Sequence, residues 1–320
     1  MWRAVRLAVA VAVAATAAVL APAAHAGVIL GVHGNAPRFA SQTGQQSQIG
    51  LTFVSFAQGN ALGRVAAAIG PVPMIALNTG SYGAAQTATS RGIALGQNDR
   101  FLFQLNAVVA RWAGTRFYVR PFPEMNAHWS GTSAYNRDGT RRDAAHSTLW
   151  TRKAFARIAV VLRGGTRDEV SASLAKLGLP GIAADLPVTT PKLRMVWNPQ
   201  GFGAPDVPGN SAEAYYPGDA YVDVVGDDLY DMRGHGATWA AAQKLYEAHP
   251  SKPFSFPEFG LWGFDDPQFI RDMAKWVRQH RRVEFISYFS GRPGSVWDLG
   301  TKPASRSAYR ALITPLGTLP

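Results

Sequence analysis

Two glutamates close apolar, strand-like runs in the same manner. One is Glu124, in Arg120-Pro121-Phe122-Pro123-Glu124-Met125-Asn126-Ala127-His128-Trp129. The other is Glu258, in Lys252-Pro253-Phe254-Ser255-Phe256-Pro257-Glu258-Phe259-Gly260. A lone strand-end glutamate is more often half of a structural ion pair. Two of them at the mouth of one sheet are what cleavage of a glycosidic bond requires: one carboxyl protonates the leaving oxygen, the other attacks the anomeric carbon or activates water. In a retaining enzyme the two lie about 5–5.5 Å apart. Apolar neighbours raise the proton affinity of the acid, and a nearby cation keeps the nucleophile ionised. Arg120 is the candidate cation. Strict period-two alternation puts Arg120, Phe122 and Glu124 on one face, and Phe254, Phe256 and Glu258 on another.

Other residues could complete such a site. Trp129, Trp197, Tyr230 and Trp297 fall at or just beyond strand ends, where aromatic faces stack on sugar rings; any one of them taken alone is more often core than platform, and the set is more persuasive than its members. The Tyr230 hydroxyl could hold the nucleophile. His33 and His128 are candidates for a sugar hydroxyl. Asp219 and Asp223 read as structural, while Asp228 could bond either substrate or an arginine. The chain lacks H-E-x-x-H, G-x-S-x-G and P-loop patterns. With no cysteine it also lacks a thiol nucleophile or thiolate metal site, and neither cofactor nor metal is expected.

Strand-like runs alternate with amphipathic stretches. The strands are expected at Val28–Val32, Leu51–Phe56, Met74–Leu77, Phe117–Arg120, Leu193–Trp197, Val222–Gly226, Pro253–Phe256 and Glu284–Tyr288. The clearest helices are Arg100–Trp112, Thr148–Leu162, Trp239–Ala248, Asp266–Gln279 and Ser305–Leu312, and the first two connections give the weakest helical signal. This pattern predicts an α/β fold, a single (β/α)8 TIM barrel with its chemistry at the carboxyl ends of the strands. A doubly wound open sheet is the alternative, but Gly31-Val32-His33-Gly34 is a poor glycine-rich first turn.

Residues 1–26 read as a secretory signal peptide: Arg3 and Arg6, an Ala/Val/Leu run, then Ala24-His25-Ala26. Residues 27–320 would form the mature catalytic domain, exported to an extracellular or periplasmic space, and no later run is long enough to span a membrane. The formal charge of the 320-residue chain is +11, two charges of which leave with the leader. Its basic residues are scattered, so general solvation is favoured and nucleic acid is not an expected partner. The expected partner is a polysaccharide substrate, and the protein is expected to be a monomer.

These segments resemble glycoside hydrolase family 26, the β-mannanase family, over most of residues 27–320. The stretch from Arg120 to Trp129 is similar to that family's R-P-F-H-E-M-N-G-x-W segment. Tyr216-Pro217-Gly218-Asp219, Tyr221-Val222-Asp223, Gly226 and Tyr230 follow its Y-P-G-D-x-Y-V-D-x-x-G-x-D-x-Y segment, and Leu193–Pro199 and Lys252–Gly260 resemble its fifth strand and nucleophile segment. The resemblance implies a retaining hydrolase with Glu124 as acid/base after strand four and Glu258 as nucleophile after strand seven. It places Trp297 at the sugar before the cut, and together with the strand-end reading the expected substrate-binding residues are Arg120, Asn126, Trp129, Tyr230, Trp297 and His33. Pro123 stands where the family has histidine, and Ala127 where it has glycine. The family acts on β-mannan, mixed-linkage β-glucan and β-1,3-xylan. The reading is therefore an endo-β-glycanase with β-mannan the leading substrate. A carbohydrate-binding barrel with little or no turnover is the second reading, and a basic exported protein docking on anionic polymer the third.

Overall fold

The computed structural model describes residues 27–80, 86–233 and 238–320; the expected leader, residues 1–26, lies outside them. Among the described residues, nine parallel strands form one closed barrel. They are β1 (Ile29–Gly34), β2 (Ile49–Ser55), β3 (Val72–Asn78), β4 (Phe117–Pro121), β5 (Leu193–Trp197), β6 (Val224–Gly226), β7 (Leu229–Met232), β8 (Phe254–Trp262) and β9 (Val283–Gly291). Each strand from β1 to β5 pairs with the next, β8 pairs with β9, and β9 returns to β1. β6 pairs with the first half of β8 and β7 with its second half. The two short strands thus share the sixth position of an eightfold (β/α)8 barrel, interrupted at Asp227-Asp228. The strand expected at Val222–Gly226 is present as Val224–Gly226, and Leu229–Met232 beyond the break was not expected as a strand.

Around the barrel run α1 (Ala36–Thr43), α2 (Leu62–Ala68), α3 (Ser90–Ala94), α4 (Asp99–Arg111), α5 (Thr148–Arg163), α6 (Arg167–Ala175), α7 (Trp239–Ala248), α8 (Pro267–Gln279) and α9 (Pro303–Leu312). The five expected helices are present. In the two weak connections the chain forms α1 and α2, each under nine residues long. Periodicity is hard to read at that length, but α1 carries local stop and start signals. Asn35 accepts the Arg38 N–H at 2.8 Å, and Gly44 ends the helix in the left-handed conformation at φ 78°.

Two layers of core follow from strand alternation. Ile29, Ile49, Leu51, Val72, Met74, Ala76, Tyr118, Val196, Val224 and Phe285 fill the barrel. Their neighbours along each strand, such as Leu30, Phe117, Val119 and Ile286, pack outward in the larger cluster shared with the helices. Helix α8 shows how that layer is held: Phe269, Ile270, Met273, Ala274, Trp276 and Val277 are its buried face, at i, i+3 and i+4 spacing. Burying each large apolar side chain contributes about 1.5–3 kcal/mol. Inside the barrel, Glu284 accepts the Tyr118 hydroxyl and Arg194 Nη2, each at 2.6 Å. Among the described residues no helix is long and apolar enough to cross a membrane.

Alternation alone misplaces both glutamates. In β8, Phe254, Phe256 and Phe259 all belong to the outer layer. Phe256 pairs with Ile286 and Phe259 with Tyr288, so three steps on β8 match two on β9. That extra residue, at Pro257, is a β-bulge, and it turns Glu258 inward, away from the face of Phe254 and Phe256. Gly226 makes room for the bulge: a Cβ there would lie 2.8 Å from Pro257 Cγ. At β4, Arg120 faces inward as Tyr118 does, but Phe122 joins the outer layer. There the phase is broken by the backbone, because Phe122 and Glu124 have φ of 56° and 53°. Left-handed φ is sparsely populated outside glycine and is tolerated where surrounding bonds enforce it.

Candidate active site

Glu258 sits at the carboxyl end of the barrel with both oxygens occupied. Arg120 Nη1 donates to Oε1 at 2.5 Å and the Tyr230 hydroxyl donates to Oε2 at 2.6 Å. The Arg120 guanidinium is fully buried, and its Nη2 donates to Asp228 Oδ2. Asp228 Oδ1 in turn accepts the Glu258 backbone N–H at 3.0 Å. Asp228 thus supports the arginine and the bulged backbone together, which decides between its two sequence readings. Burial alone would lower the proton affinity of Arg120, but the charges of Asp228 and Glu258 outweigh it and hold the group well above its ordinary value. Burial, with the Glu258 charge added, keeps the Tyr230 phenol far above its usual range, so it stays a donor.

Glu124 is partly exposed and close enough to Glu258 to feel its charge. Its backbone N–H reaches the Asn198 carbonyl at 2.8 Å and its own carbonyl accepts the Ala127 N–H at 2.8 Å, bonds that pin the left-handed conformation. Its side chain accepts the Trp129 Nε1–H at 2.5 Å on Oε2 and the Gln200 Nε2–H on Oε1. Desolvation raises its proton affinity, the Glu258 charge raises it further, and the Trp129 bond opposes both. One carboxyl is therefore biased toward the acid, while the other has a guanidinium and a phenol on its two oxygens.

The remaining candidates divide. Trp129 is 40% exposed beside Glu124, with His128 edge-on to it at 4.9 Å. Trp297 is partly exposed and packs against Trp262 and Phe289, each at 5.1 Å. His33, at the end of β1, stacks on Phe289 at 4.4 Å and bonds the Leu51 carbonyl through Nδ1 at 2.9 Å, so Nδ1 carries the hydrogen there. Asn126, expected at the substrate, is fully buried instead. Its Nδ2 donates to the Gln200 and Phe202 carbonyls at 2.9 and 3.0 Å, and its Oδ1 accepts the Gln200 N–H at 2.8 Å. Both ends of the amide are spent on the loop after β5. Arg120, likewise expected to touch substrate, is sealed beneath the carboxylates. Trp197 is core, packed against Tyr216 and His249. Asp219 accepts the Tyr216 hydroxyl, and Asp223 accepts Arg163 Nη2 and the Met195 N–H, both structural roles.

Gln200 and Asp227 escaped the sequence reading: Asp227 directly follows β6, a strand-end placement that could have marked it, whereas Gln200 lies in the loop beyond β5 with no signal of its own. Asp227 is wholly buried, accepts the Gly201 N–H at 3.0 Å on Oδ1, and has no hydrogen-bond partner for Oδ2 among the described residues. Burial, aided by the nearby Glu124 charge, pushes its carboxyl up from 3.8 to about 8. Between those values the folded chain keeps a proton that the unfolded chain has released. Raising the pH through that window therefore erodes stability. Asp227→Asn keeps the acceptor and has no proton to lose. Its melting temperature is expected to gain on the parent's steadily as pH rises from about 4 to about 8; parallel melting curves would contradict this.

No family model and no curated protein matches the chain. Solved structures do. A Cellulomonas fimi endo-β-1,4-mannanase double mutant superposes with a TM-score of 0.61 at 16% identity, covering 92% of this chain and 72% of that one. A GH26 β-mannanase from Bacteroides ovatus gives 0.54 at 14%, covering 90% and 88%. A β-mannanase from a symbiotic protist of the termite Reticulitermes speratus, complexed with gluco-manno-oligosaccharide, gives 0.51 at 14%, covering 91% and 87%. The chain has the fold of these β-mannanases. At such low identity the likeness extends to the barrel and its connections, and what the mouth does rests on its own residues.

Proposed function

We propose that this protein is a family 26 glycoside hydrolase, an exported, retaining endo-β-glycanase whose leading substrate is β-mannan. The observation that carries the reading is the asymmetric pair at the barrel mouth: Glu258 clamped by Arg120 and Tyr230, and Glu124 with a raised proton affinity near it. That its structural neighbours include β-mannanases favours mannan.

The mechanism is double displacement. Glu258 attacks the anomeric carbon while Glu124 passes its proton to the leaving oxygen; Glu124 then takes a proton from the water that displaces Glu258. Arg120 and Tyr230 hold the two Glu258 oxygens, so attack comes from a fixed direction with little reorganisation. The exposed Trp129 flanks the acid, on the side of the departing sugar, and Trp297 offers an apolar face on the nucleophile's side. Activity falls at alkaline pH, as Glu124 loses the proton that burial helps it keep.

The test is release of reducing sugar from β-mannan, glucomannan, mixed-linkage β-glucan and β-1,3-xylan, with the Glu124→Ala protein as control. Turnover of β-mannan that disappears in the variant is expected. Turnover of another polymer alone would reassign the substrate, and folded protein inactive on all four would contradict the reading.

A further inference from the structure

Glu124 has two side-chain partners of unlike kind. Trp129 is exposed and its indole N–H can only donate. Gln200 is 5% exposed, and its backbone is gripped on both sides. Its N–H donates to Asn126 Oδ1 at 2.8 Å, its carbonyl accepts Asn126 Nδ2 at 2.9 Å, and the next residue, Gly201, donates to Asp227 Oδ1 at 3.0 Å. A side chain tied down this firmly at its base, with its free end on a carboxyl, is placed to act on that carboxyl.

A carboxylate and a carboxylic acid ask for different partners. The first accepts hydrogen bonds; the second also has an O–H to give. A carboxamide offers a donor and an acceptor on one planar end, so rotation about its terminal bond serves either form, whereas an indole serves only the first. We infer that Gln200 is the positioning residue that holds Glu124 in both of its protonation states, donating Nε2–H to the carboxylate and, after a half-turn of the amide, accepting the carboxyl O–H at Oε1. This rests on Glu124 being the acid/base. In that cycle the Glu124 proton leaves with the departing sugar hydroxyl, and the attacking water restores it. Gln200 gives up no proton of its own. The charged and titratable groups acting on Glu124 are Glu258 and Arg120, with Asp227 and Asp228 behind them. The Gln200 bond opposes the upward pull of burial and of Glu258, because it favours the charged form.

Gln200→Met keeps the length and removes both functions. Two rates separate the states: turnover of the polysaccharide needs the acid form in the first step, and turnover of a dinitrophenyl β-glycoside of the same sugar needs only the base form, in the second. Both are expected to fall at least about tenfold, the worth of one charge-assisted hydrogen bond. The alkaline limb of the pH profile is expected to move upward. A fall in one rate alone would limit Gln200 to one state and overturn the inference. A fall in neither, or equal losses with an unmoved limb and a lower melting temperature, would leave it a structural residue. The titration of Glu124, followed by 13C NMR of the labelled carboxyl in parent and variant, gives a readout that needs no turnover. An upward move is expected there, and an unchanged titration would overturn the link even in a protein that hydrolyses nothing. Failure of the acid/base reading shows separately, as a Glu124→Ala protein that still turns over polysaccharide.

Discussion

Glu258→Ala is expected to fold as the parent does and to hydrolyse its polysaccharide slower by a factor on the order of ten thousand. The fold survives because the substitution leaves Arg120 paired with Asp228, one buried cation with one buried anion. The Asp228 bond to the backbone N–H of residue 258 also survives, so the bulge keeps its anchor. The rate falls because no other described carboxyl is held by both Arg120 and a phenol. Asp228 lies beneath, with its oxygens taken by Arg120 and the backbone. Circular dichroism and thermal melting beside initial rates check this. A Glu258→Ala protein with a tenth of parental turnover would remove Glu258 from the nucleophile's role.

Arg120→Met is expected to be worse for the fold than the loss of either glutamate. The side chain is fully buried and balances Asp228 and Glu258. Removing it strands two carboxyls in a low-dielectric interior, a defect that costs about 3–5 kcal/mol in comparable buried pairs. Asp228, whose proton affinity burial already raises, is expected to respond by taking up a proton, and Glu258 loses the guanidinium that orients one of its oxygens. Turnover should therefore fall together with stability, and the loss of stability is expected to be larger at neutral pH, where the stranded carboxyls would be charged, than at acid pH, where they are already protonated. Adding Asp228→Asn, which discharges one of the stranded groups, is expected to recover part of the stability without recovering the rate. Chemical denaturation of the single and double variants measures both effects. An Arg120→Met protein as stable as the parent would mean that the buried charges are compensated by some other group.

Much of this architecture is legible in the sequence, because parallel strands buried on both sides write long apolar runs. All eight barrel positions were recoverable from VILGV, LTFVSF and their successors. What periodicity could not show is where it breaks. The extra residue at Pro257 and the left-handed φ of Phe122 and Glu124 reverse which side chains share a face, and no count of alternate positions reveals either. Both glutamates nonetheless stand out in the sequence, because residue type and strand-end placement do not depend on phase. Asn126 marks the opposite limit. A polar residue two places from Glu124 looks like a substrate ligand, yet its amide matches three backbone groups of the loop after β5 and is buried among them. Gln200, delivered to Glu124 by that loop, has no sequence signal of its own; its position acquires meaning only through Asn126 and Asp227. Short helices such as α1 and α2 were missed for a simpler reason, as two turns give too few residues to display a period.

The most direct test of the central claim is the anomeric configuration of the first product released from β-mannan, followed by proton NMR before mutarotation sets in. Double displacement at Glu258 predicts the β-anomer first, with the α-anomer growing in later. Initial release of the α-anomer would mean a single displacement by water, and would contradict the assignment of Glu258 as nucleophile and Glu124 as acid/base.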